Sequence, residues 1–356
     1  MLIRRILLWP LSVLYGAALL VRHALYDSGI LKSVRPKVTT IAIGNLALGG
    51  TGKTPMMELV LRTLEGTGTV ATLSRGYGRS GNDIHEVEAN DSAERSGDEP
   101  LQVKAKFPDV RVFVGADRVK AIERIQREVP HVKAVVLDDA LQHRRLDAGL
   151  NILLSSWQRP YCDDALLPAG QLRDLVSRAK AAQVVVVTKC PARPRPMDKQ
   201  HWRERLDLQP EQRLFFAGID HEEPKYAVSS GQWAIDTPAV PATQCLLFTG
   251  IAEPAPLLAH LRSTFANVQH VAFPDHHTFT PTDLHRLARL FGSFAAGPKT
   301  LITTEKDAAR LRSVVVGSPL EGLPLAVIGM RTVILNEPEL FADLIRHHVA
   351  PHPAHR

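Results

Sequence analysis

A doubly wound α/β fold on a mostly parallel sheet is what this sequence predicts, and three observations carry the prediction. From residue 38 onward, short apolar β-branched runs alternate with longer helix-like stretches. Most of these runs lack polar alternation, so helices should cover both faces of the sheet. A glycine-rich run, Ala47 to Thr54, separates the first such strand from a helical stretch, Met56 to Leu64. At 356 residues and 45% hydrophobic, the chain has enough apolar material for one large or two medium domains.

The elements follow in order. Arg4 and Arg5 precede the uncharged stretch Ile6 to Val21, and Arg22 and His23 follow it. Its sixteen residues fall short of the roughly 20 that cross a bilayer as a straight helix. Basic ends and no polar face favour a helix lying in the membrane interface, with Trp9 and Tyr15 at headgroup depth, over the buried core helix of a soluble protein. Strands are expected at Val38 to Ile43, Val70 to Leu73, Val110 to Val114, Ala134 to Leu137, Asn151 to Leu154 and Val184 to Val187. Pro191 to Asp207, rich in proline and charge, reads as a surface excursion at a domain edge. Beyond it, Arg213 to Gly218 and Cys245 to Gly250 read as strands with an irregular polar segment between. A helix (Pro254 to Thr264), a strand (Val268 to Phe273), a helix (Asp283 to Phe291), a strand (Lys299 to Thr303) and a helix start at Glu305 make a second, smaller α/β unit. The expected division is an apolar helix at 1–25, a core domain at 26–208, linker strands at 209–243 and the smaller domain at 244–356.

Ligands of such sheets gather at the carboxyl ends of the strands. Ala47, Leu48, Gly49, Gly50, Thr51, Gly52, Lys53 and Thr54 form a phosphate cradle there. Glycines turn backbone N–H groups toward one point, Lys53 reaches the β- and γ-phosphates, and Thr54 binds Mg²⁺. Ala47 stands where the Walker pattern has glycine. Asp138 and Asp139 end a strand where such proteins hold Mg²⁺, although two acids there could instead cap the next helix. Gln142, His143, Arg144 and Arg145 crowd the same strand end. Ser74 to Arg79 is a basic loop loosened by glycines and suited to gripping phosphate, and Arg118 and Arg173 add cations. In Ser96-Gly97-Asp98-Glu99-Pro100, Asp98 or Glu99 serves as a base or, on local sequence, a helix cap. Asp275-His276-His277 offers an imidazole base or, less readily, metal ligands.

Composition narrows the partners. Lys plus Arg number 43 against 37 Asp plus Glu, so an anionic partner is expected. With 6% aromatics not interleaved among the basic residues, that partner is a phosphorylated substrate and not nucleic acid. Cys162, Cys190 and Cys245 are far apart and fit a reducing compartment. Thr188-Lys189-Cys190-Pro191 carries proline where a guanine-reading loop needs a carboxylate, which argues for ATP over GTP. The sequence thus favours a kinase using ATP, with two rival readings: a soluble P-loop kinase for another phosphosugar, and a non-catalytic nucleotide switch.

Seven motifs in order resemble the tetraacyldisaccharide 4'-kinase family: GNLALGGTGKTP at 44–55, SRGYGR at 74–79, SGDEP at 96–100, DDALQHRRL at 138–146, PAGQLRD at 168–174, FPDHHTFT at 273–280 and TTEKDAARL at 303–311. The resemblance implies a P-loop kinase that moves the ATP γ-phosphoryl group to the 4'-hydroxyl of a tetraacylated glucosamine disaccharide 1-phosphate. It places the enzyme at the cytoplasmic face of the Gram-negative inner membrane, in lipid A biosynthesis; separately, a monomer is expected. By the same resemblance Lys53 and Thr54 serve phosphate and Mg²⁺, with Asp138, Asp139 and Gln142 at the metal. Asp98 and His276 form a catalytic dyad, overriding the local preference for a cap at Asp98. Arg75, Arg118, His143, Arg173 and Asp275 shape the site or hold substrate. The family's DDGFQHR is DDALQHR here, and its PAGxLRE ends in Asp174, which leaves the contact of that acid open.

Overall fold

The computed structural model describes residues 2–229, 232–239, 242–251, 253–275, 277–312 and 314–350; side chains of 2–5, 93, 228, 229 and 232–238 are outside the description. Among these, strands β1 (Thr39–Asn45), β2 (Val70–Ser74), β3 (His85–Glu86), β4 (Arg111–Val114), β5 (Ala134–Asp138), β6 (Leu150–Ser156), β7 (Val184–Thr188) and β8 (Arg213–His221) come first. They are followed by β9 (Lys225–Ser229), β10 (Gln232–Pro238), β11 (Gln244–Thr249), β12 (Asn267–Ala272), β13 (Lys299–Thr304), β14 (Leu325–Ile328) and β15 (Met330–Ile334). The helices are α1 (Leu2–Asp27), α2 (Lys53–Thr63), α3 (Ala93–Ser96), α4 (Asp98–Lys106), α5 (Arg118–Glu128), α6 (Pro196–Arg205), α7 (Ala255–Thr264), α8 (Pro281–Gly292), α9 (Glu305–Leu311) and α10 (Pro338–Val349).

Two units result: residues 1–218 with 332–356, and residues 219–331. In the first, nine strands run in the order β15-β8-β7-β6-β1-β5-β2-β4-β3. β1 pairs parallel with β5 and β6, β2 with β4 and β5, and β7 with β6 and β8, while the short β3 is antiparallel to β4. Successive residues of one strand feed opposite cores, as a doubly covered sheet requires. Ile41, Ile43, Val184 and Val186 meet α2 and α10, whereas Ala42 faces the α5 side and Val185 the α6 side. The second unit has its own six-stranded sheet, β10-β9-β14-β13-β11-β12, whose parallel strands carry a core of Leu246, Phe248, Leu287, Phe291 and Leu301.

The expected boundaries need correction. Residues 209–218 finish the large sheet, and 332–356 return to the first unit because Phe341, Ile345 and Val349 of α10 are buried in its core. The segment taken as linker holds the antiparallel pair β9 and β10 of the second unit. The supposed surface excursion contains α6, whose Trp202 is buried and packs on Trp157 and Phe216. One large aromatic every turn or two suffices to anchor a helix that otherwise reads as charged.

The N-terminal element is also longer than its apolar run. Helix α1 continues to Asp27, and its 22 residues from Ile6 are long and apolar enough to cross a membrane by length and composition. Ser12, Gly16, Leu19 and His23 fall on one face by the 3.6-residue period and are buried against the first unit. Ser12 Oγ donates to Leu166 O (3.0 Å), Tyr15 Oη donates to Arg173 O (2.8 Å), and His23 Nε2 meets Asp174 Oδ1 at 2.6 Å. Polar groups therefore dock this helix, while Leu7, Trp9, Leu14, Leu20 and Val21 stay exposed.

Candidate active site

The phosphate cradle forms where β1 ends. Gly49 and Gly52 take left-handed φ values of 109° and 85°, a conformation only glycine adopts freely. Gly52 is also the N-cap of α2, with no side-chain cap and no acid in the first turn. The first N–H groups and the positive end of α2 are thus left for an anion. A Cβ at Gly49, Gly50 or Gly52 would meet nothing within 4 Å, so the cradle opens onto free space. Ala47 has no left-handed backbone and bridges to Leu172, so the missing Walker glycine costs nothing.

Behind the cradle, Asn45 is a hub that sequence reading missed. It is fully buried, donates from Nδ2 to Ala47 O (2.8 Å), and accepts at Oδ1 from Arg173 (2.6 Å) and Lys53 (3.5 Å). Arg173 also clamps both carboxylate oxygens of Asp139, at 2.7 Å to Oδ2. Asp139 sits at a left-handed φ of 51°, which turns its carboxylate into that fork. Burial pushes its pKa up, but the Arg173 hydrogen bonds and the Lys53 charge outweigh this and hold it below the ordinary carboxylate range. Thr188 Oγ1 donates to Thr51 O (2.8 Å), a second support of the loop that no motif had signalled.

Asp138 differs from its neighbour. Burial first, then the charges of Glu99 and Asp139, push its pKa up to about 7 against the pull of Lys53 and Arg118. Its Oδ1 is buried without a hydrogen-bond partner, as are Gln142 Oε1 and Thr51 Oγ1. Gln142 spends its amide on Asn45 O (2.6 Å), leaving the carbonyl oxygen for something else. These hard, unsatisfied oxygens fit a divalent cation such as Mg²⁺. Among the described residues no three His, Cys, Asp or Glu cluster as metal ligands.

Around this centre Arg118 is buried, and its Nη1 donates to Gly115 O (2.5 Å) and Ala116 O (3.3 Å). Burial lowers its pKa to about 10, and the charges of Asp138, Asp139, Arg75 and Arg79 all reach it. Arg75 is exposed. His143 is half-buried with Nδ1 unpartnered, and burial and then Arg118 lower its pKa, which favours the neutral imidazole. Asp98 is exposed and is the first residue of α4, and the cap position belongs to Gly97 (φ 90°). The structure thereby removes the cap reading that local sequence favoured. A Cβ on Gly97 would lie 3.2 Å from Tyr77 O, so the SGDEP turn packs directly on the SRGYGR loop.

The contact that the sequence left open for Asp174 is with α1: it is buried against His23 and accepts Leu175 N–H (2.8 Å). His277 meets Asp283 (3.0 Å) and stacks on Phe273 at the start of α8. Asp275 lies in the second unit, where Lys306 donates to it at 3.3 Å. His276 lies outside the described residues.

Comparison with known proteins follows the same lines. The family model for tetraacyldisaccharide-1-P 4'-kinase matches residues 4–349. The tetraacyldisaccharide 4'-kinase of Bacteroides thetaiotaomicron is 40% identical over 312 residues, covering 85% of this chain and 82% of its own length. That of Flavobacterium johnsoniae is 39% identical, with coverage of 90% and 92%. The crystal structure of LpxK from Aquifex aeolicus in complex with ATP superposes with a TM-score of 0.70 at 24% identity, over 98% of this chain and 100% of that one.

Proposed function

The chain belongs to the tetraacyldisaccharide-1-P 4'-kinase family, and from that premise we propose that it transfers the γ-phosphoryl group of ATP to the 4'-hydroxyl of a tetraacylated glucosamine disaccharide 1-phosphate, an ATP-dependent step of lipid A biosynthesis. The observation that carries the reading is the uncapped, acid-free start of α2 behind Gly49 and Gly52, with the unpartnered Asp138 oxygen within reach of the Lys53 charge. An open cradle for phosphate and an orphan acid for its cation are what a P-loop kinase needs.

Each residue then has a task. Lys53 and the N–H groups of Ala47 to Thr54 bind the β- and γ-phosphates. Thr54, Asp138, Asp139 and Gln142 would hold Mg²⁺, which neutralises charge on the phosphates when bound. Arg173 keeps Asp139 aimed and ionised. Arg118 and Arg75 stabilise charge on the moving phosphoryl group, and His143 and Asp275 help shape the acceptor site. Asp98 and His276 handle the proton of the 4'-hydroxyl, one taking it and the other orienting its partner.

We place the chain at the cytoplasmic face of the inner membrane, as a monomer. An acylated acceptor stays in the bilayer, and α1 turns its apolar side chains outward while docking by polar ones. The test is γ-phosphoryl transfer to the 1-phosphorylated lipid disaccharide in detergent. Wild-type protein should transfer, and Asp98→Ala and His276→Ala should each lower kcat by roughly 10²–10⁴-fold with little change in KM for ATP. No transfer by wild type would sink the reading.

A further inference from the structure

The turn that leads into Asp98 is held from behind by a side-chain network centred on His85, a residue outside all seven motifs. Ser96, two residues before Asp98, is fully buried, and its hydroxyl has one hydrogen to give. That hydrogen goes to Asp91 Oδ2 (2.7 Å). Burial pushes the Asp91 pKa up, but the hydrogen bonds from Ser96 and the Glu88 N–H outweigh it, so the carboxylate stays ionised and only accepts. His85 Nε2, 3.0 Å from the same Ser96 Oγ, is therefore the donor in that contact. On the other edge of the buried ring, Nδ1 lies 2.9 Å from Asp83 Oδ2 and 3.4 Å from Arg79 Nη1. Arg79 also donates to Asp83 O (2.6 Å), so its guanidinium is spent inside the fold, while Arg75 of the same loop stays exposed.

The same network joins two loops. Ser80 N–H donates to Glu94 O (2.9 Å), and a Cβ on Gly76 would lie 3.3 Å from Ser96 O. Between Ser96 and Asp98 stands only Gly97, the most freely rotating kind of residue, so the chain needs an anchor at Ser96 for Asp98 to keep one direction. His85 supplies that anchor from β3, which is itself fixed by pairing with β4, His85 opposite Val114. We propose that His85 is a positioning residue for phosphoryl transfer: by pinning Ser96 it holds the Asp98 carboxylate in register with the acceptor hydroxyl, acting through the turn and not by contact with substrate.

This inference rests on the kinase reading, in which Asp98 serves the acceptor hydroxyl, and one set of variants separates the two. Wild type, His85→Ala, His85→Gln, Ser96→Ala, Asp98→Ala and the His85→Ala/Asp98→Ala double variant are assayed with the 1-phosphorylated lipid disaccharide in detergent. Transfer by wild type decides the kinase reading by itself. His85→Ala should lower kcat roughly 10–100-fold and leave KM for ATP in place, and Ser96→Ala should repeat the pattern from the other end of the contact. His85→Gln, whose amide can still donate to Ser96, should recover part of the loss. In the Asp98→Ala background, His85→Ala should cost almost nothing more, because the group it positions is gone. Hydrogen exchange of the ligand-free protein reads the anchor without turnover: amides of residues 94–101 should exchange faster in His85→Ala, with those of 39–45 unchanged. Equal kcat losses in both backgrounds, or a rise in KM for ATP that matches the loss in kcat, would mean a general structural role and overturn the proposal. Unchanged exchange at 94–101 would overturn it too.

Discussion

Asp138 holds its carboxylate under a burial penalty, and the sign of that penalty is testable. With a folded-state pKa of about 7 against about 3.9 unfolded, folding favours the protonated form. The stabilising contribution is present at low pH, declines as pH rises from about 4 to about 7, and is gone above that. Asp138→Asn should therefore raise the thermal midpoint of the ligand-free protein at pH 8 by roughly 2–6 °C, change it much less at pH 5, and abolish transfer. Calorimetry at the two pH values decides, and an equal shift at both would discard the account. Arg173→Lys makes the complementary point, because an ammonium replaces the charge but not the fork that spans Asp139 and Asn45. It should cost roughly tenfold or more in kcat, measured at saturating ATP. The glycines, Lys53 and the paired acids were legible in the sequence because their chemistry lives in residue type. Asn45 and Thr188 were not, since an amide or hydroxyl at a strand end gains its role only from the loop folded over it.

Between elements, the fit of β1 to the turn after β5 is set by one glycine. A Cβ on Gly44 would lie 2.8 Å from Leu141 Cγ, so Leu141, which stands where the family has phenylalanine, packs where only hydrogen leaves room. Gly44→Ala should cost about 1–3 kcal/mol, and Leu141→Ala in the same chain should return part of it, a non-additivity that denaturant melts would reveal. Helix α1 gives the opposite prediction. Leu7 and Leu14 touch little of the protein, so Leu7→Glu and Leu14→Glu should leave the melting curve in place. Vesicle binding should fall by roughly 10–100-fold per substitution, and retention of full binding in flotation assays would refute the membrane role. Strand positions were readable because apolar β-branched runs in a covered sheet carry a plain signal. The end of α1 was not, since Arg22, His23 and Asp27 look like a terminus until Gln142, Asp174 and Arg144 are seen to receive them.

At the scale of the whole chain, the first unit is closed by its last helix. Phe341 meets Phe215 edge-on at 5.2 Å, and Arg346 Nε donates to Thr63 O (3.3 Å) at the end of α2. Phe341→Ala should cost about 3–5 kcal/mol and make residues 39–218, not 219–331, the first to be cut in limited proteolysis. Cleavage confined to 219–331 would contradict that assignment. No motif of the sequence marks this return, and only tertiary burial shows which core α10 fills. A last consequence follows from Arg173 and Asp174, adjacent residues pulled in opposite directions. One grips the acid beside the phosphate cradle, and the other grips α1 through His23. With α1 seated in the bilayer, a single peptide unit of about 3.8 Å ties the reaction centre to the lipid surface. On the membrane placement proposed above, that tie would fix the height of the reaction centre above the lipid surface.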